Sequence, residues 1–139
     1  MTNYPKKSLK QLEALADKWF SYFIRLRDAD EFGFVKCCTC NKRLFWKDVD
    51  CGHWIKRGHD STRYDEKNCS AQCRFPCNRR NNGEHEAHRM FIEKKYGEET
   101  AAVLKYKSSY IQRFRKEEYI EIIERYKKIV QSNPLFNGQ

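Results

Sequence analysis

The sequence predicts an α+β fold: a small metal-stapled core of two strands and a helix, flanked by N-terminal and C-terminal helices. Three observations predict it. All seven cysteines of the 139-residue chain fall between Cys37 and Cys77. Before and after that segment, apolar residues recur at steps of three and four, the mark of amphipathic helices. Within it, short aromatic and branched runs are bounded by turn residues, the mark of strands. Residues 1–33 read as an N-terminal helix packing on the core and 34–97 as the cysteine-bearing core. Residues 98–139 read as a helical extension and a candidate dimerisation element, the whole forming one domain.

The elements follow in order. Ser8-Leu9-Lys10-Gln11 is a capping-box pattern, and the stripe Leu9, Leu12, Ala16, Trp19, Phe20, Phe23 and Leu26 predicts a helix over 9–27. Arg25 and Arg27 on its far side read as a solvated face with phosphate contact as the alternative. Phe34-Val35-Lys36-Cys37 reads as a strand, Asn41-Lys42-Arg43 as a turn, and 44–55 as a second strand or hairpin. The polar stretch 56–67 reads as a loop and 68–77 as a short turn or helical piece. A helix over 84–96 stops at Gly97, in the usual position after a helix end. A brief helix covers 98–107. A second capping box, Ser109-Tyr110-Ile111-Gln112, opens a last helix that ends at Asn133-Pro134. Its apolar face serves either as packing against the first helix or as a dimer seam.

Charge points to an anionic partner. The net charge is +9, and residues 36–95 carry fourteen Lys and Arg against eight Asp and Glu. The basic excess thus sits on the cysteine-rich segment, which makes nucleic acid the leading partner. No run approaches the ~18 apolar residues of a membrane span, and the N-terminus lacks a signal-peptide pattern. The expected location is therefore cytoplasmic. In that reducing compartment, seven cysteines read as metal ligands and buried thiols.

Cys37-x2-Cys40 has the spacing with which two thiolates of one knuckle bind a single tetrahedral Zn²⁺, and Cys73-x3-Cys77 offers the second pair. Cys69-x3-Cys73 is a rival second pair. Cys38, Cys51 and Cys69 otherwise read as small buried hydrophobes. Between the pairs lies His53, whose bland reading is structural. Its company favours chemistry: Asp50 and Asn78 are candidate ligands for a hard divalent metal, and Asn68 is a candidate orienting amide. Lys56, Arg57, Arg74, Arg79 and Arg80 surround them as candidate DNA contacts, with His59 in the basic loop. A near-neutral base, a divalent cation and phosphate-holding cations are what phosphodiester hydrolysis requires. His85 and His88 read as surface or phosphate-contacting groups, and Asn82 is a weak further candidate.

Several stretches together carry a family resemblance. They are Ile24-Arg25-Leu26-Arg27-Asp28-Ala29-Asp30, Asp50-Cys51-Gly52-His53, Arg63-Tyr64-Asp65-Glu66-Lys67-Asn68, Gln72-Cys73 and Pro76-Cys77-Asn78. With the strand–strand–helix order, they resemble the HNH (ββα-metal) nucleases, in the zinc-bearing branch that includes phage T4 endonuclease VII. More closely, the chain resembles the bacteriophage NinG/Rap recombination endonucleases. The resemblance implies an enzyme that cuts branched DNA such as Holliday junctions, leaving 5′-phosphate and 3′-hydroxyl ends. It implies His53 as general base, Asn78 as ligand of the catalytic Mg²⁺ or Mn²⁺, and Asn68 as the brace that orients His53. Cys37, Cys40, Cys73 and Cys77 would hold structural zinc. One HNH site cuts one strand, so symmetric resolution calls for a homodimer.

Two departures stand out. Many HNH enzymes carry a metal-binding Asp or His directly before the catalytic histidine, where this chain has Gly52. Asp50 is the nearest substitute, with Asp48 and His59 as competitors; in a regular strand Asp50 and His53 point to opposite faces. The second departure is the three-residue spacer before Cys77, where two is common. Against the nuclease stand two alternatives: a non-catalytic zinc-stapled DNA- or RNA-binding module, and a redox-sensing thiol protein.

Overall fold

The computed structural model describes residues 4–137. The fold is α+β, with two two-stranded antiparallel sheets set among helices. Helix α1, Leu9–Arg27, forms because its apolar stripe repeats at helical steps and its entry is capped. The Ser8 hydroxyl accepts from Gln11 N–H at 3.1 Å, and the Gln11 side chain accepts from Ser8 N–H at 2.9 Å. Strands β1, Phe34–Lys36, and β2, Arg43–Phe45, pair to form the knuckle hairpin. A turn of 3-10 helix at Trp46–Asp48 then leads into β3, Val49–His53.

Residues 60–63, expected to be loop, form the single-turn helix α2, Asp60–Arg63. Strand β4, Cys69–Cys73, stands where the sequence suggests a turn or helical piece. The reason lies in burial: every residue of Cys-Ser-Ala-Gln-Cys is buried, so neither face needs to be polar and the alternation that signals a strand is missing. β4 pairs with β3 from Val49↔Cys73 to His53↔Cys69 without a bulge.

Helix α3, His85–Tyr96, is followed by α4, Thr100–Ser108, and α5, Lys116–Gln131. The expected capping box at Ser109 does not open α5. Residues 111–115 form no regular element, and α5 opens instead at Arg115, whose backbone N–H donates to the Glu118 carboxylate at 3.0 Å. Beyond Asn133 the chain makes one more short helix, α6, Pro134–Asn137.

α1 lies between α5 and the β3–β4 sheet. Leu12 and Ala16 meet Tyr119 and Ile123 on one side, while Phe20 and Ile24 meet Cys69 and Tyr126 deeper in. Leu12, Phe20, Ile24 and Ile123, all buried, contribute about 1.5–3 kcal/mol each. The buried face of α5 thus packs against α1 within the chain. Arg25 and Arg27 are clamps rather than a solvated face. Arg25 donates to Trp46 O at 3.3 Å, and Arg27 to Glu66 O at 2.8 Å and Cys69 O at 2.9 Å.

Candidate active site and metal centre

The four predicted cysteines converge. The Sγ atoms of Cys37, Cys40, Cys73 and Cys77 all lie within 4.8 Å of one another, with Cys40 and Cys73 at 3.8 Å. Two thiolates on one tetrahedral zinc, each at about 2.3 Å from the ion, sit about 3.8 Å apart. The donor set therefore fits Zn²⁺. Burial pushes the Cys37 thiol up, but Cys73 N–H, at 3.3 Å from its sulfur, and the Thr39 side chain outweigh it and bring it to about 6. Cys38 and Cys69 stand outside the cluster as buried thiols.

The three-residue spacer is absorbed by a wide turn over Arg74–Asn78. Arg79 N–H donates to Arg74 O at 2.9 Å and Asn81 N–H to Pro76 O at 2.8 Å, five residues back in each case. This wider turn accommodates the extra residue. Cys77 returns to the cluster, and the Asn78 amide donates to Asp50 Oδ2 at 2.8 Å.

Beside the cluster lies a cleft of about 520 Å³, lined by Asp50, His53, Lys56, Arg57, Asn78 and Arg79, together with Asp17, Phe20, Ser21 and Cys51. Asp50 and His53 both reach it although β3 is regular, because β3 has one partner strand and its other edge is free. Side chains from both faces flank that edge. Neither Asp48 nor His59 lines the cleft.

Asp50 is the electrostatic hub. Arg79 binds it through two bonds of 2.9 and 3.0 Å, and Arg74 donates at 3.2 Å. Burial pushes its carboxyl up, but the bonds from Arg79, Asn78 and Arg74 outweigh this and hold it below the usual carboxylate range. His53 keeps an edge open to the cleft while its Nε2 lies 2.9 Å from Arg63 O. A carbonyl oxygen only accepts, so Nε2 carries the proton and Nδ1 keeps its lone pair. Burial lowers the imidazole to about 4, leaving it neutral at physiological pH.

Asn68 is fully buried and lines no part of the cleft. Its side chain accepts from Ile55 N–H at 2.8 Å and donates to Ile55 O and Thr62 O. It braces the segment after β3 that carries Arg63, so its action on His53 is indirect. Lys56 donates to Asn82 O at 2.8 Å; Arg80 and His59 are exposed away from the cleft. The two histidines of α3 part company. His85 is exposed and stacks on Trp54 at 5.1 Å, whereas His88 is completely buried. That corrects the expectation of a surface role for His88. Helical phase explains it: His88 lies one turn before Ile92, on the core side of α3.

Asp17, unremarked in the sequence, and Gln72, given no role there, complete the site. Asp17 binds Arg63 at 2.6 and 2.9 Å and accepts from Tyr64 OH at 2.8 Å. Its signal was available: a carboxylate one helical turn before Phe20, beside the apolar stripe of α1. Gln72 fills the space beside Gly52, where a Cβ would stand 2.3 Å from Gln72 Oε1. The position before His53 therefore has no room for a side chain, and the carboxylate that β3 brings to the cleft is that of Asp50.

Fold and site thus define a small α+β protein with a four-cysteine centre able to hold a metal such as zinc. The chain belongs to the bacteriophage lambda NinG protein family, whose family model matches residues 3–133. No curated protein and no solved structure matches it. Among the described residues, no helix is long and apolar enough to cross a membrane.

Proposed function

We propose that this chain is a metal-dependent, HNH-type endonuclease that cuts branched DNA intermediates of phage recombination. The observation that carries the reading is the convergence of His53, Asp50 and Asn78 on one cleft with Lys56, Arg57 and Arg79 at its border. Asp50 and Asn78 offer a carboxylate and an amide oxygen, a set suited to Mg²⁺ or Mn²⁺, which take one or two carboxylates and complete their shell with water and phosphate. The fit requires the Asn78 amide to turn its oxygen inward and Arg79 to leave Asp50. When bound, the ion stabilises charge on the scissile phosphate and its leaving oxygen.

His53 Nδ1 takes a proton from the attacking water while Nε2–H, held by Arg63 O, fixes the tautomer. Attack at phosphorus breaks the bond to the 3′-oxygen, which is protonated, leaving a 3′-hydroxyl and a 5′-phosphate. Released from Asp50, Arg79 joins Lys56 and Arg57 in holding the backbone phosphate. The four cysteines hold structural zinc and set the direction of Asn78. Two copies, as a homodimer, would cut both strands of a junction.

One observation favours a second reading, a non-catalytic zinc-stapled nucleic-acid-binding module. Asp50 is already satisfied by Arg74, Arg79 and Asn78. Incubating the protein carrying one equivalent of zinc with end-labelled four-way junction, flap, duplex and single-stranded DNA, in Mg²⁺ and in Mn²⁺, separates the two. The nuclease reading expects metal-dependent nicks in branched DNA; binding without cleavage in either metal would support the module.

A further inference from the structure

Two thiols beside His53 have no part in the chemistry above. Cys69 stands opposite His53 in the β3–β4 register, and Cys51 precedes His53 by two residues on β3. All three therefore project from the same face of the sheet. The two sulfurs and a ring nitrogen of His53 lie within 4.8 Å of one another, the same closeness that unites the four-cysteine cluster. Cys69 is fully buried beneath Phe20 and Ile24, while Cys51 lines the cleft. With Nε2 of His53 bound to Arg63 O, Nδ1 is the nitrogen free to ligate.

The donors are soft. Two thiols and an imidazole with no carboxylate select zinc or cadmium over Mg²⁺ and Mn²⁺. Three such ligands with one side open to a cleft make a tetrahedral site whose fourth position is left for solvent. Nor is the trio part of the structural staple, since its cysteines are distinct from the four that form that cluster.

We propose that Cys51, His53 and Cys69 form a second, soft-metal site that takes one Zn²⁺ ion and, when filled, removes the His53 lone pair from the cleft. Binding displaces the two thiol protons to solvent, and the two thiolates offset the charge of the ion. The ion that staples the fold thereby acts, in excess, as an inhibitor. That inhibitory consequence rests on the reading of His53 as base; the existence of the site does not.

The test uses the full chain, reduced, with zinc counted by native mass spectrometry and by competition with a chromophoric chelator. The wild type is expected to take two zinc ions, and Cys51→Ser and Cys69→Ala one each. Alkylation of Cys51 should be blocked by the second equivalent and not by the first, a readout that needs no variant. A single ion in the wild type, or two ions retained in both variants, would overturn the site. In the cleavage assay, saturating the second site should lower the Mg²⁺-supported rate at least tenfold in the wild type. Cys51→Ser should keep its own zinc-free rate under the same conditions. Two bound ions with undiminished cleavage would overturn the inhibitory role. Two bound ions in a protein that never cleaves would count against the nuclease reading and leave the site standing.

Discussion

His53 is held by Arg63, whose carbonyl oxygen lies 2.9 Å from Nε2 of the imidazole. Arg63 is in turn clamped to α1 by Asp17 through bonds of 2.6 and 2.9 Å. A helix outside the metal core therefore sets the tautomer of the histidine at its edge.

Replacing Asp17 with Ala should break this clamp and leave the Arg63 guanidinium, which is only 11% exposed, with the more distant Glu13 at 3.5 Å as its remaining carboxylate. Removing one member of such a buried pair costs about 3 kcal/mol. Urea unfolding with retained zinc content measures it. A loss under about 0.5 kcal/mol, the range of ordinary surface changes, would show that the clamp contributes little.

Gly52→Ala should also destabilise, because the new methyl meets Gln72 Oε1 at 2.3 Å and Gln72 Cβ at 2.9 Å. Overpacking of this kind costs about 1–3 kcal/mol. The double variant Gly52→Ala, Gln72→Ala should recover part of the loss in thermal denaturation. Equal stability of the single variant and the wild type would contradict the close approach.

Much of this arrangement was legible in the sequence. The cap at Ser8, the helical stripe of α1 and the cysteine spacings point to the elements found and to the cluster of four sulfurs. β4 was not legible, since a strand buried on both faces carries no alternation, and Ser70 and Gln72 made the stretch look polar. The second capping box was a local signal that lost to tertiary packing: α5 begins where Tyr119 and Ile123 meet α1, not at Ser109. His85 and His88 share a spacing that cannot reveal which of them faces inward. The convergence of Asp50 and His53 depends on β3 having a free edge, a property of topology rather than of residue order.

Acid should destabilise the protein through His88. Burial, aided by the fields of His53 and Lys56, lowers its pKa from 6.5 to about 3, and neither ring nitrogen has a hydrogen-bond partner in the protein. The unfolded chain takes up a proton near pH 6.5 while the folded chain resists it. Stability is therefore full above about 6.5 and is lost as pH falls from there toward 3. Between pH 6.5 and 5 this amounts to about 2 kcal/mol at ~1.4 kcal/mol per unit. Urea titrations of the wild type and His88→Leu at pH 7 and pH 5 read the difference. Parallel losses in the two proteins would contradict it.

Stripping zinc should unfold the core and with it the site. Cys73→Ser removes a sulfur that sits at 3.8 Å from that of Cys40. Metal binding and folding are coupled in small domains of this kind, so the variant should lose zinc and the packing around Val35 and Trp46. Loss of near-ultraviolet circular dichroism on chelation reports it. Unchanged tertiary signals in the metal-free protein would show that the helices suffice.

On the nuclease reading His53 is the general base, and His53→Ala removes it. The variant should keep the zinc of the four-cysteine centre and bind a labelled four-way junction as tightly as the wild type. Its single-turnover cleavage rate in Mg²⁺ should fall by about 10²–10⁴, the usual contribution of a general base. Cleavage within a few-fold of the wild-type rate would contradict the account.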